Sequence, residues 1–143
     1  VLRRLKFDNN TIKDVCKLVR WHDFGMGCVP KKNTIRKLLG EVGKDFFPYI
    51  IEIKKADMAA QSDYKLEERQ SQLAELEKKY EEIVADADCV RIKDLKVNGG
   101  DLIKLGIKPG PQMGEILQKL LDMVIEDPEK NDREYLLDQV KQM

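Results

Sequence analysis

Asn98-Gly99-Gly100-Asp101-Leu102-Ile103-Lys104-Leu105-Gly106-Ile107-Lys108-Pro109-Gly110-Pro111 reads as two helices joined by a tight turn. Asn98, with an acid three residues on, matches an N-cap whose partner side chain reaches back to the cap amide. A very short helix over residues 101–105 follows. Gly106 to Pro111 makes the turn. Gly110 suits the next N-cap and Pro111 the first helical position, where an N–H is not needed. Met113, Ile116, Leu117, Leu120, Leu121, Val124 and Ile125 then recur at spacings of three and four and predict an amphipathic helix ended by Asp127-Pro128.

The same period extends in both directions. Downstream, Asn131 and Glu134 form another cap pair, and Tyr135, Leu137 and Val140 line a final helix. Upstream, residues 90–97 alternate only partly and read as extended or loop. Before them lies the longest helix, opened by Ser62 or Asp63 and running to about residue 88. Leu66, Leu73, Tyr80 and Ala87 recur every seven residues there, with Leu76 and Ile83 between them. Such a seam either packs inside the chain or pairs two copies in a coiled coil. Nearer the N-terminus, Asn10 is a cap for a helix carrying Ile12, Val15, Cys16 and Val19. The Gly/Pro-rich stretch from Phe24 to Pro30 breaks it. Asn33 or Thr34 starts a helix through Ile35, Leu38, Leu39 and Val42, ended by a left-handed Gly43. Pro48 sits in the first turn of a third helix with Phe46, Phe47, Ile50, Ile51 and Met58. The expected fold is all-α: a multi-helix body, one long helix and a C-terminal helix–hairpin–helix tail.

The 143 residues carry 26 Lys+Arg and 26 Asp+Glu, a formal net charge of zero. That excludes a uniformly basic nucleic-acid binder, but the charges are segregated. Residues 1–60 hold 13 basic and 7 acidic side chains, and residues 91–112 hold 5 and 2. Each basic block is followed by an acidic one. With a screening length of about 8 Å, a partner meets such patches rather than the total. No apolar run approaches the roughly 20 residues of a membrane span. Three Cys at irregular spacing make no disulfide framework and point to a reducing cytoplasm. Cys16 and Cys89 read as core and Cys28 as exposed. The chain opens on Val1 rather than Met, which suggests a piece of a longer protein.

His22-Asp23 invites a metal reading, but one His in the whole chain cannot supply an imidazole-rich site. No phosphate-binding Gly-x-x-x-x-Gly-Lys-[Ser/Thr] loop is present. The 98–125 hairpin is the more informative feature. A helix starting at Gly110-Pro111 presents free N–H groups and the positive end of its dipole to an anion. Gly106 and Gly110 leave room for a phosphate, Lys104 and Lys108 flank the turn, and Arg91, Lys93 and Lys96 lie just upstream. Lys31, Lys32, Arg36 and Lys37 form a second cluster, with Lys54 and Lys55 behind it. Both suit contact with a nucleic-acid backbone that ignores sequence.

Leu2-Arg3-Arg4-Leu5-Lys6-Phe7-Asp8-Asn9 leads to Val19-Arg20-Trp21-His22-Asp23. Arg36-Lys37-Leu38-Leu39 runs through to Lys55-Ala56-Asp57-Met58-Ala59-Ala60-Gln61. Leu95 to Ile103, Leu105 to Pro111 and Gly114-Glu115-Ile116-Leu117 complete the set. Together these resemble bacterial tRNA nucleotidyltransferases, the CCA-adding or poly(A)-polymerase-like family, in the form with an inserted His-Asp domain. The resemblance implies a helical body and tail that clasp the acceptor and TΨC side of tRNA. It places the end of the His-Asp domain and the body at residues 1–62, a connecting helix at 63–90 and the tRNA-binding tail at 91–143. The catalytic head of that family, which uses Mg2+ with CTP and ATP, pairs a Gly-Ser with an Asp-x-Asp element. That pairing is not found here. The resemblance therefore implies no catalytic residue, metal or cofactor in this chain, and makes His22 and Asp23 a remnant. Two other expectations stand beside it, a dimerisation module built on the long helix and a His-Asp phosphohydrolase.

Overall fold

The computed structural model describes residues 1–25 and 27–143; Met26, inside the Gly/Pro break, lies outside them. Among the described residues every regular element is helical. Seven α-helices follow in order: α1 (Asn9–Trp21), α2 (Lys32–Val42), α3 (Phe47–Ala60), α4 (Leu66–Ala85), α5 (Gly99–Lys104), α6 (Pro111–Glu126) and α7 (Arg133–Gln142). Short 3-10 turns sit at Ile92–Asp94 and Pro128–Lys130. The stretch read as extended or loop is irregular apart from the 3-10 turn at Ile92–Asp94, because the Asp94 carboxylate accepts from the amides of Val90 and Arg91 and curls the chain.

The apolar residues form two clusters. The first joins α2, α3 and α4 through Ile35, Leu39, Phe47, Ile50, Leu73, Leu76 and Ile83. Against it packs an aromatic series in which Trp21, Phe24 and Phe47 meet edge to face and Phe47 stacks on Tyr80 at 4.8 Å. Leu73, Leu76 and Ile83, the seam residues of α4, are buried against α2 and α3. The seam packs inside the chain. The second cluster joins α5, α6 and α7 through Val97, Leu102, Leu120, Val124 and Leu136, all almost fully buried.

The two clusters meet where α2 crosses α6 and the chain passes from α4 to the 3-10 turn. Arg36, 8% exposed, donates from Nε to Asp88 at 2.7 Å and from Nη1 to the Ile125 carbonyl at 3.1 Å. Lys44 Nζ donates to the Asp88 carbonyl, and Arg91 Nε to that of Gly40. A side chain at Gly40 would collide with the Val90 carbonyl, so only glycine permits this crossing.

Several local expectations are corrected. Asp8, not Asn10, caps α1, accepting from the amides of Asn10 and Thr11 at 3.0 Å. Cys16 then falls on the solvent side and is exposed, as is Cys28, while Cys89 is buried. Gly43 has the expected positive φ of 100° but ψ of 143°, outside the left-handed helical region. α4 starts at Leu66, because Lys65 is left-handed at φ 53° and Arg69 donates to the Ser62 and Tyr64 carbonyls, closing the α3–α4 turn. It ends at Ala85, so Ala87 leaves the seam and sits exposed at φ 52°. Asp132, not Asn131, caps α7 by accepting from the Tyr135 amide. That register buries Leu136 and Val140 and leaves Tyr135 exposed. No described helix is long and apolar enough to cross a membrane.

Candidate nucleic-acid interface

The α5–α6 hairpin is built as its sequence suggests. Asn98 Oδ1 accepts from the Asp101 amide at 3.2 Å, and Asp101 Oδ2 accepts from the Asn98 amide at 3.2 Å. Asp101 is 6% exposed, and its other oxygen accepts from Arg133 Nη2 at 2.7 Å. The cap therefore also fastens α5 to the start of α7. α5 ends in a Schellman motif. The Ile107 amide donates to Leu102 and the Gly106 amide to Ile103, with Gly106 at φ 90°. Ile107 and Leu102 join the second cluster, so the motif is anchored from inside.

The outer side of the turn is open. Nothing lies within 4 Å of where a Cβ would stand on Gly106 or Gly110. No side chain caps the N-terminus of α6. Lys104 and Lys108 are exposed, and neither makes an ion pair among the described residues. The turn thus offers two free cations beside an uncapped helix start, a combination that favours an anion.

The remaining predicted cations divide into two groups. Lys93 and Lys96 are exposed and make no ion pair among the described residues. Their segment is held by Asn131, which accepts from the Lys96 amide at 3.0 Å and donates to the Asp94 carbonyl at 3.1 Å. Arg91 is half-buried and tied to Gly40. It shares a groove between α2 and α6 with Lys37, Lys93 and Gln118. In the second cluster only Lys31 is unpaired among the described residues. Lys32 reaches Glu82 at 2.6 Å, Lys37 reaches Glu126 at 3.5 Å, and Arg36 is the buried tie described above. Lys32 and Asn33 hold Glu82 and Glu126 below the usual carboxylate range by hydrogen bonding. Among the described residues four of the five predicted tail cations are exposed and free of ion pairs, whereas three of the four at the start of α2 are committed to acids. Sequence reading missed Asn131 and Gln118, which spacing alone casts as a cap and a solvent-face residue.

His22 is exposed, and its Nδ1 donates to the Val19 carbonyl. Among the described residues no three His, Cys, Asp or Glu side chains are grouped to hold a metal ion. The described residues do not fit a bound Mg2+.

A family profile described as tRNA nucleotidyltransferase domain 2 matches residues 1–140. The chain belongs to this family. Individual relatives match over shorter stretches. The CCA-adding enzyme of Limosilactobacillus fermentum is 52% identical over 44 residues, 31% of this chain and 11% of that protein. That of Pediococcus pentosaceus is 45% identical over 58 residues, 38% of this chain and 15% of that protein. That of Streptococcus agalactiae serotype V is 48% identical over 50 residues, 34% and 12% respectively. These stretches span between 11% and 15% of the relatives' own length. No solved structure matches the chain significantly.

Proposed function

We propose that this chain is the tRNA-binding part of a CCA-adding tRNA nucleotidyltransferase, acting in the cytoplasm. Its α5–α6 hairpin grips the RNA backbone. The observation that carries this is the open turn with Lys104 and Lys108 unpaired beside the uncapped start of α6. Lys93 and Lys96 extend the cationic surface. Lys31 is the free cation of the second cluster. Contact with phosphate and ribose rather than base edges fits double-stranded RNA, which proteins recognise mainly by shape and backbone. Nucleotide addition belongs to a catalytic head, and none of its steps is assigned to a residue of this chain.

Titration with tRNA at two salt concentrations, read by fluorescence anisotropy, tests the reading. Affinity falls as salt rises, because each phosphate contact releases counterions. Lys104→Glu with Lys108→Glu weakens binding about tenfold or more and lowers the salt slope by about two. Lys32→Ala, which loses a cation already paired with Glu82, changes affinity by less than about twofold. Salt-independent binding, or a double variant that binds like the wild type, rejects the proposal.

A further inference from the structure

A cleft of about 450 Å³ opens between the chain following α1, the second half of α3 and the start of α4. That size lies within the range of small-molecule sites. None of the hairpin cations proposed above for tRNA lines it, although Lys54, behind the second basic cluster, does. Its apolar floor comprises Val29, Met58, Leu73 and Leu76. Lys54 lines the same cleft, half-buried, with no ion pair or hydrogen bond among the described residues. Burial pulls its pKa below the ordinary lysine value, against the opposing fields of Asp23 and Asp57. A cation kept partly out of water without a partner is a vacancy for an anion.

Two further features narrow the anion. Tyr64 stands at the cleft with 75% of its surface exposed, and Lys65 Nζ lies 5.8 Å from its ring centroid. Asp57 and Glu68 also line the walls. Lys65 and Arg69 line the cleft as well and offset these carboxylates, which accept hydrogen bonds from the exocyclic amino groups of a base. We propose that this cleft binds a single nucleotide, with its base stacked on Tyr64 and its phosphate on Lys54. The nucleotide is either free or the unpaired end of an RNA strand.

The test titrates the full chain with AMP, CMP, adenosine and a single-stranded RNA trinucleotide, followed by calorimetry and amide NMR shifts. Saturable binding of AMP or CMP is expected. Lys54→Gln weakens it about tenfold while leaving adenosine nearly unchanged. Tyr64→Ala weakens nucleotide and adenosine alike by about fivefold, the lower end of base–aromatic stacking. Trinucleotide binding with the same variant pattern and no mononucleotide binding supports the site and makes an RNA end its occupant. The Lys104→Glu, Lys108→Glu double variant keeps nucleotide binding, which separates this proposal from the tRNA reading. No saturable binding by any probe at millimolar concentration overturns the proposal. So does binding indifferent to both cleft substitutions in folded variants.

Discussion

Two glycines inside helices make a controlled experiment. Gly40 in α2 and Gly114 in α6 both sit at helical positions, where Ala is favoured by about 1 kcal/mol. Nothing lies within 4 Å of a Cβ on Gly114. On Gly40 the new methyl would stand inside the 3.0 Å that real Cβ atoms keep, against the Val90 carbonyl oxygen, with the carbonyl carbon at 3.5 Å. The obstacle is backbone, and it cannot swing aside. Moving it drags Asp88 and Arg91, which are bound to Arg36 and Gly40. Forcing extra volume into such a contact costs typically about 1–3 kcal/mol. The helix gain is common to both substitutions, so their difference isolates the steric cost. Gly114→Ala raises stability by up to about 1 kcal/mol. Gly40→Ala falls about 1–3 kcal/mol below it, for a midpoint separation of roughly 0.5–1.5 M urea at an m-value near 2 kcal/mol/M. Equal midpoints for the two variants refute the close crossing of α2 and the 88–91 segment.

Three further outcomes follow from the same contacts. At the end of α4 the Asp88 amide donates to Ile83 and the Ala87 amide to Val84, a Schellman motif with alanine where glycine is usual. Ala87→Gly therefore stabilises by about 0.5–1 kcal/mol in thermal melts, and destabilisation contradicts the assigned conformation. Arg36→Met strands the Asp88 carboxylate and costs about 3–5 kcal/mol in urea unfolding, while adding Asp88→Asn recovers part of the loss. A single variant within 1 kcal/mol of wild type excludes the buried tie. Burial, aided by Asp94, pushes the Cys89 thiol up to about 11. The folded chain thus holds that proton more tightly than the unfolded one. Its contribution to stability is complete below about pH 9, the ordinary thiol value, and is lost as pH rises through 11. Iodoacetamide at pH 8 modifies Cys16 and Cys28 and spares Cys89 until urea is added; early Cys89 labelling contradicts its burial.

Helix content was legible because the apolar period and the Gly/Pro breaks agree over most of the chain. The α5–α6 hairpin was read best, since its caps are set by residues three apart. Ends fixed by distant contacts were read less well. Asn131 resembles a cap in one dimension, but it is recruited by the 94–96 backbone and leaves the cap to Asp132. Arg36 shows the same limit for the site. In sequence it is one of four cations in a row of seven residues. In space it faces inward, because Asp88 and the Ile125 carbonyl, 52 and 89 residues away, converge on it. Charge counting finds a basic cluster, but ion-pair partners decide which of its members stay available.

The passage from α4 to the first tail turn also looks, on paper, like the natural place to divide the chain. Gene boundaries drawn there would separate α2 from α6, and with them Arg36 from Ile125. Each half would then carry a freshly bared apolar flank, and a C-terminal half that inherited Asp88 would hold its carboxylate with no guanidinium to meet it. Separately expressed halves are therefore expected to precipitate, yet to regain solubility on co-expression. For anyone trimming this molecule, α2 through α6 must stay on one chain.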